Sequence, residues 1–124
     1  MAKKPVFVSF DFDRDKALKD FIIGQARNGN IPVEVIDTSL KEAAPMATWE
    51  QKAEAAINRS ELVVVMVGPQ THRAPGVRKE VAMARRNKIP IVQMIGYRDA
   101  NPTKVANAGR LYRWNRENIK NLFG

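Results

Sequence analysis

Apolar positions along this chain follow two alternating patterns, one typical of β-strands and one typical of helices. Five short blocks are either continuously apolar or alternate between apolar and polar residues, which predicts strands. The predicted strands cover residues 6–12, 31–37, 62–67, 89–95 and 110–114. Elsewhere, apolar residues recur every three or four positions, which predicts helices. These helices cover residues 16–28, 48–59, 75–87 and 116–122.

Local signals support the ends of these helices, because short polar side chains favour N-caps, proline the first helical position and glycine the C-terminal end. The first helix has Asp13 or Asp15 before it and Gly29 after it. The second opens on a capping box, Thr48 to Gln51. The third begins at Pro75, and Asn115 caps the fourth.

The alternation of strands and helices predicts an α/β fold with a parallel sheet between helices on both faces. Residues 62–67 are continuously apolar, as expected for a central strand that is buried on both sides. The length of 124 residues suits one domain, residues 1–124. We therefore predict a flavodoxin-like three-layer sandwich of five strands in the order 2-1-3-4-5. Ligands of such sheets bind at the carboxyl ends of the strands.

Composition excludes several classes of protein. The absence of cysteine excludes disulfide scaffolds, Cys-ligated metals and thiol catalysis, and the single histidine, His72, disfavours His-based metal sites and a Ser-His-Asp triad. We expect no metal and no cofactor. No apolar run approaches a membrane span, and the start lacks the features of a signal peptide, so we expect a cytoplasmic protein with no membrane partner.

Positive charge is concentrated in the second half of the chain. Residues 1–72 hold 9 Lys and Arg against 10 Asp and Glu, whereas residues 73–124 hold 12 against 3. The excess is explained either by an anionic partner or by a solvated basic surface. Nucleic acid is disfavoured as that partner, because aromatic residues do not interleave with the cations and no nucleic-acid motif is present.

Three common sites of this fold do not match the residues that follow the predicted strands. The phosphoacceptor site of receiver domains needs an aspartate after the third strand, and the stretch 68–71 holds none. The phosphate loop of flavodoxins follows the first strand, where the acids within residues 11–15 would repel a phosphate. The Gly-x-Gly-x-x-Gly fingerprint of dinucleotide-binding domains is absent. The remaining candidate residues at this edge are Ser9, Phe10, Asp11, Gly68, Thr71, His72, Arg73 and Tyr97. His72 is either a surface residue or a ligand contact.

Glu80 is the carboxylate that helix geometry singles out. On a helix that turns 100° per residue it lies about 60° from Val77, beside the apolar stripe that Val81 and Ala84 continue. We expect partial desolvation to raise its pKa and suit it to act as a base, nucleophile or electrostatic stabiliser. The alternative is a structural glutamate that caps the helix or pairs with a cation such as Arg73.

Several segments of the chain resemble TIR domains. Phe7-Val8-Ser9-Phe10 is similar to the opening strand of these domains, and Ala56 to Ser60 precede a strand as they do there. The segments Gly68 to Thr71 and Arg78 to Val81 resemble the region that carries the TIR catalytic glutamate. The resemblance extends over nearly the whole chain and is strongest to the small bacterial TIR-like family of Thoeris antiphage defence, typified by ThsB.

This resemblance implies an activity. Many TIR domains cleave NAD⁺ between nicotinamide and ribose, and Thoeris members make an ADP-ribose or cyclic ADP-ribose signal for a separate effector. Glu80 would be the catalytic residue, Ser9 and Phe10 would line the nucleotide cleft, and NAD⁺ would be a substrate rather than a cofactor. Many members place an aromatic residue where this chain has Gly76, so Tyr97, His72 or Phe10 would have to replace it.

The same resemblance is compatible with a second interpretation. A non-catalytic TIR-like module would bind partners, nucleotides or a second copy of itself through the basic half or through the loop at residues 37–47. The two hypotheses differ in whether the function of the protein depends on Glu80.

Overall fold

Five parallel strands form a single sheet in the computed structural model, which describes residues 4–11, 16–27, 33–36, 46–97 and 101–123. The strands are β1 Lys4–Ser9, β2 Val33–Ile36, β3 Leu62–Val67, β4 Ile91–Ile95 and β5 Leu111–Arg113. The helices are α1 Lys16–Arg27, α2 Met46–Asn58, α3 Pro75–Arg86 and α4 Arg116–Phe123. A 3-10 turn, Thr71–Arg73, lies between β3 and α3. None of the helices in these ranges has the length and apolar character needed to cross a membrane.

The order of the strands is β2-β1-β3-β4-β5, which confirms the predicted topology. The reversal of order between β1 and β3 creates the switch point at which ligands of such sheets bind. Val8 of β1 lies opposite Val64 of β3, and Ser9 lies opposite Val65. All six residues of β3 are buried, as their continuous apolar character predicted.

Two helical layers cover the sheet, so the three-layer arrangement is confirmed. Successive residues of a strand point to opposite faces, and β1 divides its side chains accordingly. Val8 and Phe10 pack with Leu18 and Ile22 of α1 on one face. On the other face Phe7 packs in a cluster of α2 and α3 residues, with Trp49, Ala53, Ile57, Met83 and Ala84 among its members.

Element ends differ from the sequence prediction by a few residues. The strand β1 ends at Ser9, earlier than expected, and β4 begins at Ile91, after Pro90. The proposed capping box at Thr48 is wrong, because α2 already begins at Met46 and no helix-breaking residue separates Met46 from Thr48. The cap of α4 is confirmed, since the backbone N–H of Asn118 donates to Oδ1 of Asn115 across 2.8 Å. The predicted caps of α1 and most of the loop at 37–47 lie outside the described residues.

A buried amide anchors the segment between β4 and β5. Gln93 of β4 is fully buried, and its Nε2 donates to the carbonyl oxygens of Val105 (3.0 Å) and Gly109 (2.8 Å). Its Oε1 accepts a hydrogen bond from the N–H of Val105 across 2.7 Å. Gly109 has a φ of +80°, and a Cβ there would lie 2.2 Å from the carbonyl oxygen of Ile91. This position therefore requires glycine.

Candidate functional site

The candidate site lies where β1 and β3 end. Parallel neighbours place their carboxyl ends at the same edge of a sheet, and α3 follows β3 through a short loop and the 3-10 turn. The helix α3 returns over the face that also carries α2 and contacts β1. Side chains at the end of β1 and on the inner side of α3 can therefore meet.

Ser9 and Glu80 make this contact. The Ser9 hydroxyl donates a hydrogen bond to Oε1 of Glu80 across 2.7 Å, and both residues have no exposed surface. The prediction that Glu80 faces inward is confirmed, but its burial is complete rather than partial. A buried carboxylate is costly unless it is hydrogen-bonded, so the hydroxyl offsets part of that cost.

The loop before α3 is held by its own hydrogen bonds. The N–H of Gly68 donates to Oγ1 of the fully buried Thr71 across 2.7 Å, and the N–H of Ala74 donates to the carbonyl of Thr71 across 3.0 Å. Pro75 then occupies the first turn of α3, as predicted. These contacts fix the start of the helix and, through it, the position of Glu80 five residues later.

The 3-10 turn presents the two other polar candidates of this loop. His72 is half-buried, and its Nδ1 is buried with no hydrogen-bond partner among the described residues. Arg73 is exposed. One ring nitrogen of His72 is thus enclosed, while part of the side chain reaches the surface.

Phe10 and Tyr97 lie on the other side of the sheet from the Ser9–Glu80 pair. Phe10 belongs to the core beneath α1 and α4, and Tyr97 packs against the same core. Asp11 is buried directly after β1. The structure thus brings Ser9 and Glu80 into contact but does not bring either aromatic candidate to their face.

Trp49 is the aromatic side chain that lies next to Gly76. It is buried in the α2–α3 core, and a Cβ at Gly76 would lie 3.6 Å from its Cη2. Gly76 stands one turn before Glu80 on α3. The ring from α2 therefore occupies the space next to position 76. Only the contact between α2 and α3 reveals this, because residues 49 and 76 are far apart in the chain.

Ion pairs between α2 and α3 use part of the basic surface of α3. Lys79 lies 2.6 Å from Glu50, and Arg86 lies 2.7 Å from Glu54. Asn87 also donates to Glu54, across 2.9 Å. The hydrogen bonds from Asn87 and Arg86 hold the pKa of Glu54 below its ordinary value. Arg78 and Arg85 are exposed, as are Lys79 and Arg86, in agreement with a largely solvated basic surface.

No group of three or more His, Asp or Glu side chains within the described residues is arranged to hold a metal ion. The polar pair at the switch point consists of a carboxyl group and a hydroxyl. In this structure their chemistry is that of a single buried acid held by a hydroxyl donor.

The parallel sheet in the order β2-β1-β3-β4-β5, with helices on both faces, is that of flavodoxin-like α/β proteins and is consistent with a TIR-like fold. The family model described as the TIR-like domain of the Thoeris protein ThsB matches residues 7–101, which include both Ser9 and Glu80. The chain belongs to this family and is a TIR-like protein related to Thoeris defence. No curated protein matches it significantly.

Proposed function

We propose that this protein cleaves NAD⁺ at the bond between nicotinamide and ribose, with Glu80 as the catalytic carboxylate. The observation that carries the proposal is the Ser9–Glu80 hydrogen bond at the switch point of a ThsB-type fold. Switch points of parallel sheets are where nucleotides bind. Placing an acid at that point supplies the one charged group that this reaction needs from the protein.

The chemistry suits a single carboxylate. Nicotinamide leaves as a neutral molecule from a cationic precursor, and its departure puts positive charge on the ribose. A fixed negative group stabilises that charge, as acidic residues do in glycoside hydrolysis. Water then adds to the ribose carbon and loses a proton, which yields ADP-ribose. Attack by another atom of the same nucleotide yields a cyclic isomer. Either product would serve as the signal for a separate effector.

Ser9 acts as a positioning residue in this proposal. Its hydroxyl donates to Oε1 and so holds the carboxyl group of Glu80 in one orientation at the end of β1. Because Glu80 has no exposed surface in this structure, catalysis requires a movement that opens the carboxylate to the substrate.

That complete burial also favours a second candidate function. In a non-catalytic TIR-like module, the Ser9–Glu80 pair would join β1 to α3 and take no part in chemistry. The protein would then act by binding a partner or nucleotide, and the loss of Glu80 would weaken the fold rather than a reaction.

One experiment separates the two candidates. Nicotinamide release from NAD⁺ is measured by chromatography for wild type, Glu80→Gln and Glu61→Gln, with lysate from phage-infected cells as a source of activator. Glu61 is an exposed acid at the opposite end of β3 and serves as the matched control. We expect release by wild type and by Glu61→Gln but none by folded Glu80→Gln. Wild-type release by Glu80→Gln would refute the assignment of Glu80, and absence of release by the wild type under activation would favour the module.

A further inference from the structure

A groove of about 630 Å³ runs along the outer side of α3, between this helix and the segment that precedes β5. Its lining includes Arg78, Lys79 and Arg85 of α3 and Asn107 of the facing segment. Val81 and Ala82 lie between the two arginines. The groove is therefore an apolar floor bordered by cations.

This groove is separate from the Ser9–Glu80 pair. Arg78 and Arg85 project at about 100° and 80° from Val77 around the axis of α3, whereas Glu80 projects at about 300°. Glu80 is buried against β1 on the inner side of the helix, while both arginines are exposed. A ligand in the groove would contact the helix from the side opposite the candidate catalytic carboxylate.

The wall facing α3 is preformed. The three hydrogen bonds of Gln93 fix Val105 and Gly109, and Val105 and Ala108 are buried. Asn107 stands between them with a φ of +64°, and its carbonyl oxygen accepts a hydrogen bond from Arg85 across 3.5 Å. A wall held in this way needs little ordering when a ligand binds, which favours affinity.

The charges of the groove select an anion. Lys79 already pairs with Glu50 across the other flank of α3. Arg78 has no ion pair within the described residues, and Arg85 contacts only a backbone carbonyl there. The arginines are two helical turns apart, about 10.5 Å along the axis, and long flexible side chains can converge over that distance. Guanidinium groups bind phosphate through paired hydrogen bonds.

We propose that this groove binds a nucleotide-sized ligand that carries phosphate groups, at a site distinct from that of Glu80. The volume lies within the range of small-ligand sites, roughly 300–1,000 Å³. Arg78 and Arg85 hold the phosphates, and the floor of Val81 and Ala82 receives the less polar part of the ligand. Such a site would let a nucleotide act on the protein without contacting Glu80.

The test uses ADP as the probe and adenosine as its uncharged counterpart, with the Glu80→Gln protein as the background. Backbone amide shifts locate the bound probe, and titration gives its affinity. We expect ADP to shift Ala82 and Ala106, with weak or no binding of adenosine. The double variant Arg78→Ala/Arg85→Ala should raise the Kd for ADP by about tenfold or more. Ala82→Glu, which keeps a good helix former on the exposed side, should do the same.

The matched control is Arg59→Ala/Lys120→Ala, which removes two exposed cations outside the groove lining. It is expected to leave the Kd within about twofold. An equal loss in the control would overturn the proposal in favour of nonspecific charge. Shifts confined to Ser9, Gly68 and Thr71 would place the nucleotide at the strand edge instead. Equal affinity for adenosine, or binding of a single-stranded DNA through the same arginines without binding of ADP, would also overturn it. None of these outcomes depends on NAD⁺ cleavage, so the proposed activity is tested independently.

Discussion

The hydroxyl of Ser9 reaches the carboxylate of Glu80 although the two residues are 71 positions apart in the chain. The contact depends on the parallel pairing of β1 with β3 and on the return of α3 over the same face. It joins a strand to a helix through a buried charge-bearing group. Its removal should therefore affect both the stability of the protein and any chemistry at Glu80.

The first prediction concerns this pair. Ser9→Ala should lower the free energy of unfolding by about 1–3 kcal/mol, because a buried carboxylate oxygen loses its donor. In a Glu80→Leu background the same change should cost far less, since no carboxylate remains to be satisfied. Urea unfolding of the two single variants and the double variant measures this coupling.

Ser60→Ala is the matched control for that cycle, because the Ser60 hydroxyl is also buried but donates to the carbonyl oxygen of Ala56. Its cost should be the same with Glu80 or Leu at position 80. If Ser9→Ala also cost the same with Glu80 as with Leu at position 80, the hydrogen bond would contribute nothing to stability.

The second prediction concerns Gly76 and Trp49. Gly76→Ala should be neutral or stabilising by up to about 1 kcal/mol, because its Cβ meets the Trp49 ring at an ordinary contact distance and alanine favours the helix. Gly76→Phe should destabilise by about 1–3 kcal/mol, because a larger side chain competes with the ring for the same space. Thermal or urea unfolding of the two variants tests the difference.

Trp49→Ala provides the internal check on this interpretation. It should be destabilising alone but should reduce the cost of Gly76→Phe, since it removes the ring that occupies the space. A cost of Gly76→Phe that is the same with and without the tryptophan would show that the two positions do not compete.

The sequence predicts the architecture well, for a physical reason. A continuously apolar β3 and a regular alternation of strands and helices leave few arrangements other than a parallel sheet covered on both faces. Helix and strand ends are less well predicted, because a local signal such as the Thr48 box can also lie inside a helix that begins earlier in the chain.

The candidate site is only partly predictable. The inward direction of Glu80 follows from the period of its own helix, but its hydrogen bond with Ser9 follows from strand pairing, which no local pattern reveals. The side chains of Phe10 and Ser9 lie on opposite faces of the sheet, which follows from strand alternation once the buried faces are known. The Trp49–Gly76 contact depends on how α2 packs against α3.

The third prediction concerns the buried amide of β4. Gln93→Leu keeps most of the side-chain volume but leaves the N–H of Val105 and two carbonyl oxygens without their partner. We expect a loss of about 2–4 kcal/mol in the free energy of unfolding. Urea unfolding measures it, with Gln51→Leu on the exposed side of α2 as a control that should change stability by less than about 0.5 kcal/mol. Equal effects of the two variants would contradict an anchoring role for Gln93.

The last prediction concerns acid stability and Glu54. The hydrogen bonds from Asn87 and Arg86 lower the pKa of this carboxyl group, so its ionised form is favoured in the folded state. The resulting stabilisation is complete above the ordinary glutamate pKa of about 4.5 and is lost as the pH falls through the lowered value in the folded protein.

Glu54→Gln should therefore reduce the loss of Tm between neutral pH and pH values below the ordinary pKa. Melting curves across that range test this, and Glu61→Gln, an exposed acid with no ion pair within the described residues, should leave the slope closer to that of the wild type. An unchanged slope in Glu54→Gln would mean that the contacts with Asn87 and Arg86 do not favour the ionised form in solution.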